Sequence, residues 1–185
     1  MHLRATGVKR SALGLTTLEM SVAVSVAAIL TALAAPNFAR MQRASARAAA
    51  VGDLMHAIYL ARSEAIKRNA VVSICRSIDG QRCANKTATW DTGWMVFVNN
   101  DRDSPAEADA GETVIHRNAG WLGGQVTSNR ATFSFRPMSQ ADVNGSILFC
   151  DPQGGAEDAR VIIISHTGRP RVSDRDAANK PLKCD

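Results

Sequence analysis

Residues 14–30 read GLTTLEMSVAVSVAAIL, an apolar run with one carboxylate, Glu19, close to its start. An acidic side chain placed inside a bilayer costs roughly 2.5–3.5 kcal/mol, and such groups are kept for a partner. The run continues, because Leu15 to Ala35 is 21 mostly apolar residues. As a helix that is about 31 Å long at 1.5 Å per residue, enough to cross a hydrocarbon core of roughly 30 Å. A basic leader before an apolar run is also the general pattern of a secretory signal. Here no small-x-small site with a polar start closes the run, and composition breaks ahead of it, at Gly14. The stretch predicts a membrane-crossing helix behind a leader, with Glu19 held for a specific partner.

Pro36 ends the oily run, and an internal proline removes a helix hydrogen bond. The helical period then resumes. Phe38, Met41, Ala44, Ala48, Val51, Met55, Ile58 and Ala65 recur at three, four or, once, seven residues, with Arg40, Arg43, Arg47, Arg62, Lys67 and Arg68 mainly between them. This is an amphipathic stripe that stops near Asn69. Beyond it the pattern turns to β: AVVSIC (70–75), GWMVFV (93–98), TVIHR (113–117), ATFSFR (131–136), GSILFCD (145–151) and RVIIIS (160–165). β-branched residues and alternation mark the strands, and Gly, Asn, Asp and Pro clusters separate them. The expected class is α+β, a long N-terminal helix covering one face of an antiparallel sheet. The expected segments are a leader at 1–14, a membrane helix at 15–35, an amphipathic continuation at 36–69 and a β-rich head at 70–185.

The chain of 185 residues suits one domain plus an appendage, and 45% hydrophobic residues allow a real core. The net charge of +5 is a weak hint of nucleic acid, since Arg4, Lys9 and Arg10 sit in the leader and their loss leaves +2. Cys75, Cys83, Cys150 and Cys184 fit no paired C-x-x-C pattern. An even number behind an export-like N-terminus favours disulfides over free thiols. Of the three connectivities, Cys75–Cys83 with Cys150–Cys184 is preferred, closing a short loop and tying down the tail. His2, His56, His116 and His166 lack metal-ligand spacing. The loop at 99–112 carries Asp101, Asp103, Asp109 and Glu112, but Pro105 and Ala106 stand where a calcium loop needs a ligand and a glycine. Nothing resembles a nucleophile elbow. No enzyme, cofactor or metal is expected, and Trp90, Trp94 and Trp121 read as packing residues.

Gly14-Leu15-Thr16-Thr17-Leu18-Glu19 resembles the class III leader of type IV pilins and type II secretion pseudopilins. The resemblance implies cleavage between Gly14 and Leu15 by the prepilin peptidase, with N-methylation of Leu15. It implies a single-pass inner-membrane protein with a periplasmic head, later a subunit of a pilus or pseudopilus among other pilin subunits. Glu19 would then meet the freed amine of Leu15, its own or a neighbour's, so that both charges are neutralised in an apolar interior. Leu where Phe is usual is a mild departure.

The head resembles the FimT/GspH branch of minor pilins and pseudopilins, through ARSEAIKRNAVVSIC (61–75), DTGWMVFVNNDRDSPAEADAGETVIHR (91–117), TFSFRP (132–137), ILFCD (147–151) and ARVIIISHTGRPRV (159–172). In the FimT type a C-terminal Gly-Arg-x-Arg motif carries DNA binding in natural transformation, and Gly168, Arg169 and Arg171 match it by position. If that stretch is extended, the two arginines project to one side, roughly 6.5–7 Å apart. Paired guanidinium groups suit successive phosphates, and Arg175, Lys180 and Lys183 add charge against Asp174 and Asp176. The expected partner is double-stranded DNA, read through its backbone. The bland reading of the motif is a solvated turn whose arginines pair with the acidic loop or with neighbouring subunits. The alternative function is a structural minor pseudopilin of a type II secretion system, recruiting protein rather than DNA.

Overall fold

The computed structural model describes residues 16–84, 88–137 and 144–184. One helix, α1, runs Thr17–Arg68 with Pro36 inside it. Its start is a cap: the Glu19 N–H donates to Thr16 Oγ1 at 3.2 Å, satisfying one of the orphan donors of the first turn. The Thr-x-x-Glu spacing is that of a capping box. Its end is equally defined. Asn69 adopts φ 50°, its N–H donates to the Ile66 carbonyl at 3.3 Å, and the Ala70 N–H reaches the Ala65 carbonyl at 3.2 Å. Those two bonds form a Schellman motif, with asparagine at its left-handed position. Glu64 pairs with Lys67 and Arg68 in the last turns.

The chain divides into two compact units, one ending at Met41 and one beginning at Gln42. In the first, Leu18, Met20, Val22, Val24, Val26, Ile29, Leu30 and Leu33 are all exposed, and the helix is long and apolar enough to cross a membrane.

Among the described residues the second unit carries eight strands: β1 Val71–Arg76, β2 Trp94–Asn99, β3 Val114–Asn118, β4 Gln125–Ser128, β5 Thr132–Phe135, β6 Gly145–Cys150, β7 Arg160–Ile164 and β8 Pro170–Ser173. They make two antiparallel sheets rather than the single one expected, in the orders β3-β2-β1-β5 and β4-β6-β7-β8. All six predicted strands are present, within one residue at each end. β4 and β8 are additions, four residues each.

The main core joins Val51, Leu54, Ala57, Ile58 and Ala61 of α1 to Ile74, Val96 and Phe133 of the first sheet and Ile147, Phe149 and Ile162 of the second. Trp90, Trp94 and Trp121 belong to it. The buried stripe follows the expected one in part: Val51, Ile58 and Ala65 are buried, but Ala44 and Ala48 are exposed, and Ala50, Leu54, Ala57 and Ala61 are buried too. Phe38 and Met41 are exposed as well. In a helix this rich in alanine, several stripes satisfy a 3.6-residue period, and the large Leu54 decides which one turns inward.

The outer face of each sheet has its own cover. Over the first, Ala106 and Ala108 of the acidic loop pack with Cys75, Met95 and Phe97. Over the second, Leu182 and Cys184 of the tail pack with Cys150, Val161 and Ile163. The tail is stapled to β6 by the disulfide Cys150–Cys184, and Cys75–Cys83 closes the loop after β1, whose Cys83 packs into the same cluster as the acidic loop. Strands buried on both faces, such as β1 and β2, follow from this layering.

Candidate nucleic-acid interface

Gly168, Arg169 and Arg171 lie on the hairpin that joins β7 to β8. The register runs Ile164↔Pro170, Ile163↔Arg171, Ile162↔Val172 and Val161↔Ser173. The connecting turn is closed by its own backbone: the Ser165 N–H donates to the Arg169 carbonyl at 3.1 Å, and the Gly168 N–H to the Ser165 carbonyl at 2.8 Å. The Ser165 hydroxyl accepts the Arg169 N–H at 3.2 Å and pairs with the Thr167 hydroxyl at 2.8 Å. Gly168 has φ 70°, where a side chain would be strained. Pro170 opens an edge strand, a position that needs no donor. Local chemistry thus produces a hairpin whose tip is fixed by short bonds.

Arg169 and Arg171 are exposed, while Gly168 and Pro170 are buried. The two guanidinium groups do not share the single face expected of an extended stretch. Arg169 belongs to the turn, so strand alternation does not reach it. With Pro170 it lines a groove of about 920 Å³ against His56, Tyr59, Arg62 and Ile66 of α1. Arg171 is in the strand opposite Ile163, and cross-strand partners share a face. Ile163 packs in the outer layer of the second sheet. Among the described residues neither arginine forms an ion pair with an acid.

Arg175 and Lys180 flank a second tight loop, bridged at Arg175↔Pro181. Asp176 organises it by accepting the N–H groups of Ala178 at 2.9 Å and Lys180 at 2.7 Å. The Arg175 Nη1 donates to the Asn179 carbonyl at 3.3 Å. Lys180 and Lys183 line a shallow groove with Leu148 and Val161 on the outer face of the second sheet. Arg171 therefore shares its face with Lys180 and Lys183, and Arg169 shares its groove with Arg62. The sequence placed Arg62 on the polar side of the helix but offered no link to Arg169, which is distant in the chain.

Other candidate positions are distributed elsewhere. Gly14 and Leu15 lie outside the described residues. Glu19 is exposed in the first turn of α1, where an acid favours the positive end of the helix dipole. In the acidic loop, Glu112 accepts the Asn100 N–H at 2.6 Å and the Asp109 N–H at 3.1 Å, and Asp103 accepts the Glu107 N–H at 2.9 Å. Those carboxylates hold the loop together. Among the described residues no group of three or more His, Cys, Asp or Glu is placed to hold a metal ion. His56 and His116 meet edge-on, ring centroids 5.9 Å apart.

Comparison with known proteins gives a family match. The family model described as type II transport protein GspH matches residues 50–168, more than half of the chain. Two crystal forms of the type IV minor pilin FimU of Pseudomonas aeruginosa (strain PAO1) are similar in structure. One has a TM-score of 0.51 at 18% identity, covering 68% of this chain and 90% of that one. The other has a TM-score of 0.50 at 18% identity, covering 68% and 86%. At that identity the likeness concerns the fold. No match was found among curated protein sequences.

Proposed function

Because the chain belongs to the GspH family of minor pilins and pseudopilins, we propose that it is an inner-membrane-anchored minor pilin whose head binds double-stranded DNA during uptake in natural transformation. The prepilin peptidase cleaves between Gly14 and Leu15 and Leu15 is N-methylated. The apolar half of α1 is stored in the membrane, head in the periplasm, and later packs against other subunits in the filament. There Glu19 neutralises the freed ammonium, an ion pair whose disruption in an apolar surrounding costs several kcal/mol.

One observation carries the DNA reading: Arg169 and Arg171 are exposed on a rigid hairpin with no acidic partner among the described residues. Guanidinium forks bind phosphate oxygens in pairs. Since the two point to different faces, the phosphates they contact are not adjacent on one strand. Arg169 with Arg62 would grip one stretch of backbone, and Arg171 with Arg175 and Lys180 another. Binding by two to four phosphate contacts is salt-sensitive, with a log–log slope of about −2 to −4, and many copies on a filament raise avidity.

The test is titration of the full chain in neutral detergent with duplex DNA, wild type against Arg169→Ala/Arg171→Ala. The double variant should lose most binding and flatten the salt slope. Equal binding by both proteins removes the DNA role from these arginines. The description of the matched family favours one second reading, a structural pseudopilin of a type II secretion system, which the same equality would support.

A further inference from the structure

A second basic feature lies on the first sheet, apart from the hairpin. A cleft of about 120 Å³ is lined by Arg102, Arg130 and Arg136 together with Asp103, Thr132 and Ser134. The three arginines come from three separate places: the loop after β2, the connection between β4 and β5, and the residue just past β5. Arg102 and Arg130 bring like charges to the cleft from distant parts of the chain, and an anion between those two lowers their repulsion.

Each wall of the cleft is held in place. Arg102 sits at φ 63°, a left-handed conformation costly for a side-chain-bearing residue. Its N–H donates to Asn99 Oδ1 at 2.6 Å. Asn99 itself is 1% exposed and donates to Ser73 Oγ at 3.3 Å and Asp103 Oδ1 at 3.0 Å. The Arg130 guanidinium is oriented by Asn144, with Nε donating to the carbonyl at 2.6 Å and Nη2 to Oδ1 at 3.1 Å. Its Nη1 has no bond among the described residues, and neither does the Arg102 guanidinium. Among the described residues, Asp103 is the only acid in the lining. Both its oxygens already accept bonds within the loop, Oδ1 from Asn99 and Oδ2 from the Glu107 N–H. Thr132 Oγ1 accepts the Ala106 N–H at 3.4 Å, which leaves its hydroxyl hydrogen to donate.

We infer that this cleft is a binding site for one tetrahedral oxyanion of the phosphate type, held by Arg102, Arg130 and Arg136 with the Thr132 hydroxyl. The volume suits a single phosphate group and is too small for a base and sugar besides. Guanidinium groups match the oxygen spacing of such an anion and stay charged at every physiological pH. The same chemistry is offered by a free phosphate ion and by a phosphodiester of a nucleic-acid backbone.

The experiment follows the arginine Nε–Hε NMR signals of the full chain in neutral detergent. Inorganic phosphate is titrated against chloride of matched ionic strength. Saturable shifts at Arg102, Arg130 and Arg136 are expected, weakened about tenfold in Arg102→Gln, since one charge-assisted bond is lost. A short DNA duplex is then added to Arg169→Ala/Arg171→Ala, which lacks the hairpin arginines. Movement of the cleft signals identifies backbone phosphate as the ligand; movement with inorganic phosphate alone identifies the free ion. The site is overturned if no shift saturates, or if shifts saturate identically in Arg102→Gln and Arg130→Gln. Because the DNA arm uses the hairpin variant, failure of the hairpin reading leaves this result standing.

Discussion

Arg47, in the middle of the amphipathic half of α1, is buried against Asp151 at the end of β6, Nη1 to Oδ2 at 4.0 Å. Asp151 also takes Arg43 Nε at 3.3 Å, and Arg47 Nη2 lies 3.7 Å from Asp158. Arg47 is 5% exposed and Asp151 likewise 5%. The cluster fixes the Gln42 end of the helix to the second sheet. Asp151 keeps Arg43 when Arg47 is lost, whereas removing Asp151 leaves the buried Arg47 facing only the half-exposed Asp158, so Asp151→Ala should destabilise the fold by about 3–5 kcal/mol. Arg43→Ala, at a more exposed site, should cost much less. Chemical denaturation of the two variants in parallel checks this, and equal losses would contradict it.

The two staples differ in loop length, 8 residues for Cys75–Cys83 and 34 for Cys150–Cys184. Loop-closure entropy assigns about 2.5 kcal/mol to the first and about 4 kcal/mol to the second. Cys184→Ser should therefore lower the midpoint of unfolding more than Cys83→Ser. It should also free the tail, visible as faster proteolysis after Ser173. The reverse ranking would mean that the Cys83 loop covers the first sheet more effectively than entropy alone implies.

Acid should weaken the end of α1. The Arg68 guanidinium bonded to Glu64 holds that carboxyl below its ordinary value of 4.5, with Lys67 adding to the effect. Asp79 is lowered as well, chiefly by the N–H groups of Gln81 and Arg82. A group whose folded pKa is depressed contributes stability above its unfolded pKa and loses it as pH falls through the folded value. The loss thus belongs below about pH 4.5. Thermal unfolding at pH 6 and pH 3 should differ less in Glu64→Gln/Asp79→Asn than in the wild type. An unchanged difference would assign the acid sensitivity to other groups.

At the other end of α1, cap and charge are separable. Thr16 Oγ1 accepts the Glu19 N–H, a bond that does not use the Glu19 side chain. Thr16→Ala should cost about 1 kcal/mol of helix stability and leave filament incorporation largely intact. Glu19→Gln should keep the helix and abolish incorporation, because the freed ammonium loses its countercharge. Circular dichroism and the amount of subunit in sheared filaments report the two effects. Normal incorporation of Glu19→Gln would refute the ion-pair role.

Much of this architecture was legible from local chemistry. The end of α1 at Asn69 is a residue suited to a left-handed position, and the six strongest strands are rich in β-branched and aromatic side chains. β8 escaped notice because Pro170, Arg171 and Ser173 have little strand character, and only pairing with Ile162 and Ile164 makes them a strand. β4, QVTS, is polar and short for the same reason. The division into two sheets is a matter of long-range pairing that alternation does not encode. Arg47 read as surface because its countercharges, Asp151 and Asp158, are far away in the chain. The candidate interface was legible as Gly-Arg-Pro-Arg, but the turn at Ser165–Arg169 sends its two arginines to different faces. The cleft of Arg102, Arg130 and Arg136 had no sequence signal at all, being assembled by tertiary contacts.

Every functional assignment above rests on the chain being a processed filament subunit. Intact mass and N-terminal sequencing of the protein purified from its native membrane test that most directly. The account predicts loss of residues 1–14 and a new N-terminus at Leu15 carrying one methyl group. A protein still bearing Gly14 and its leader, or cut beyond Ala35, would contradict it.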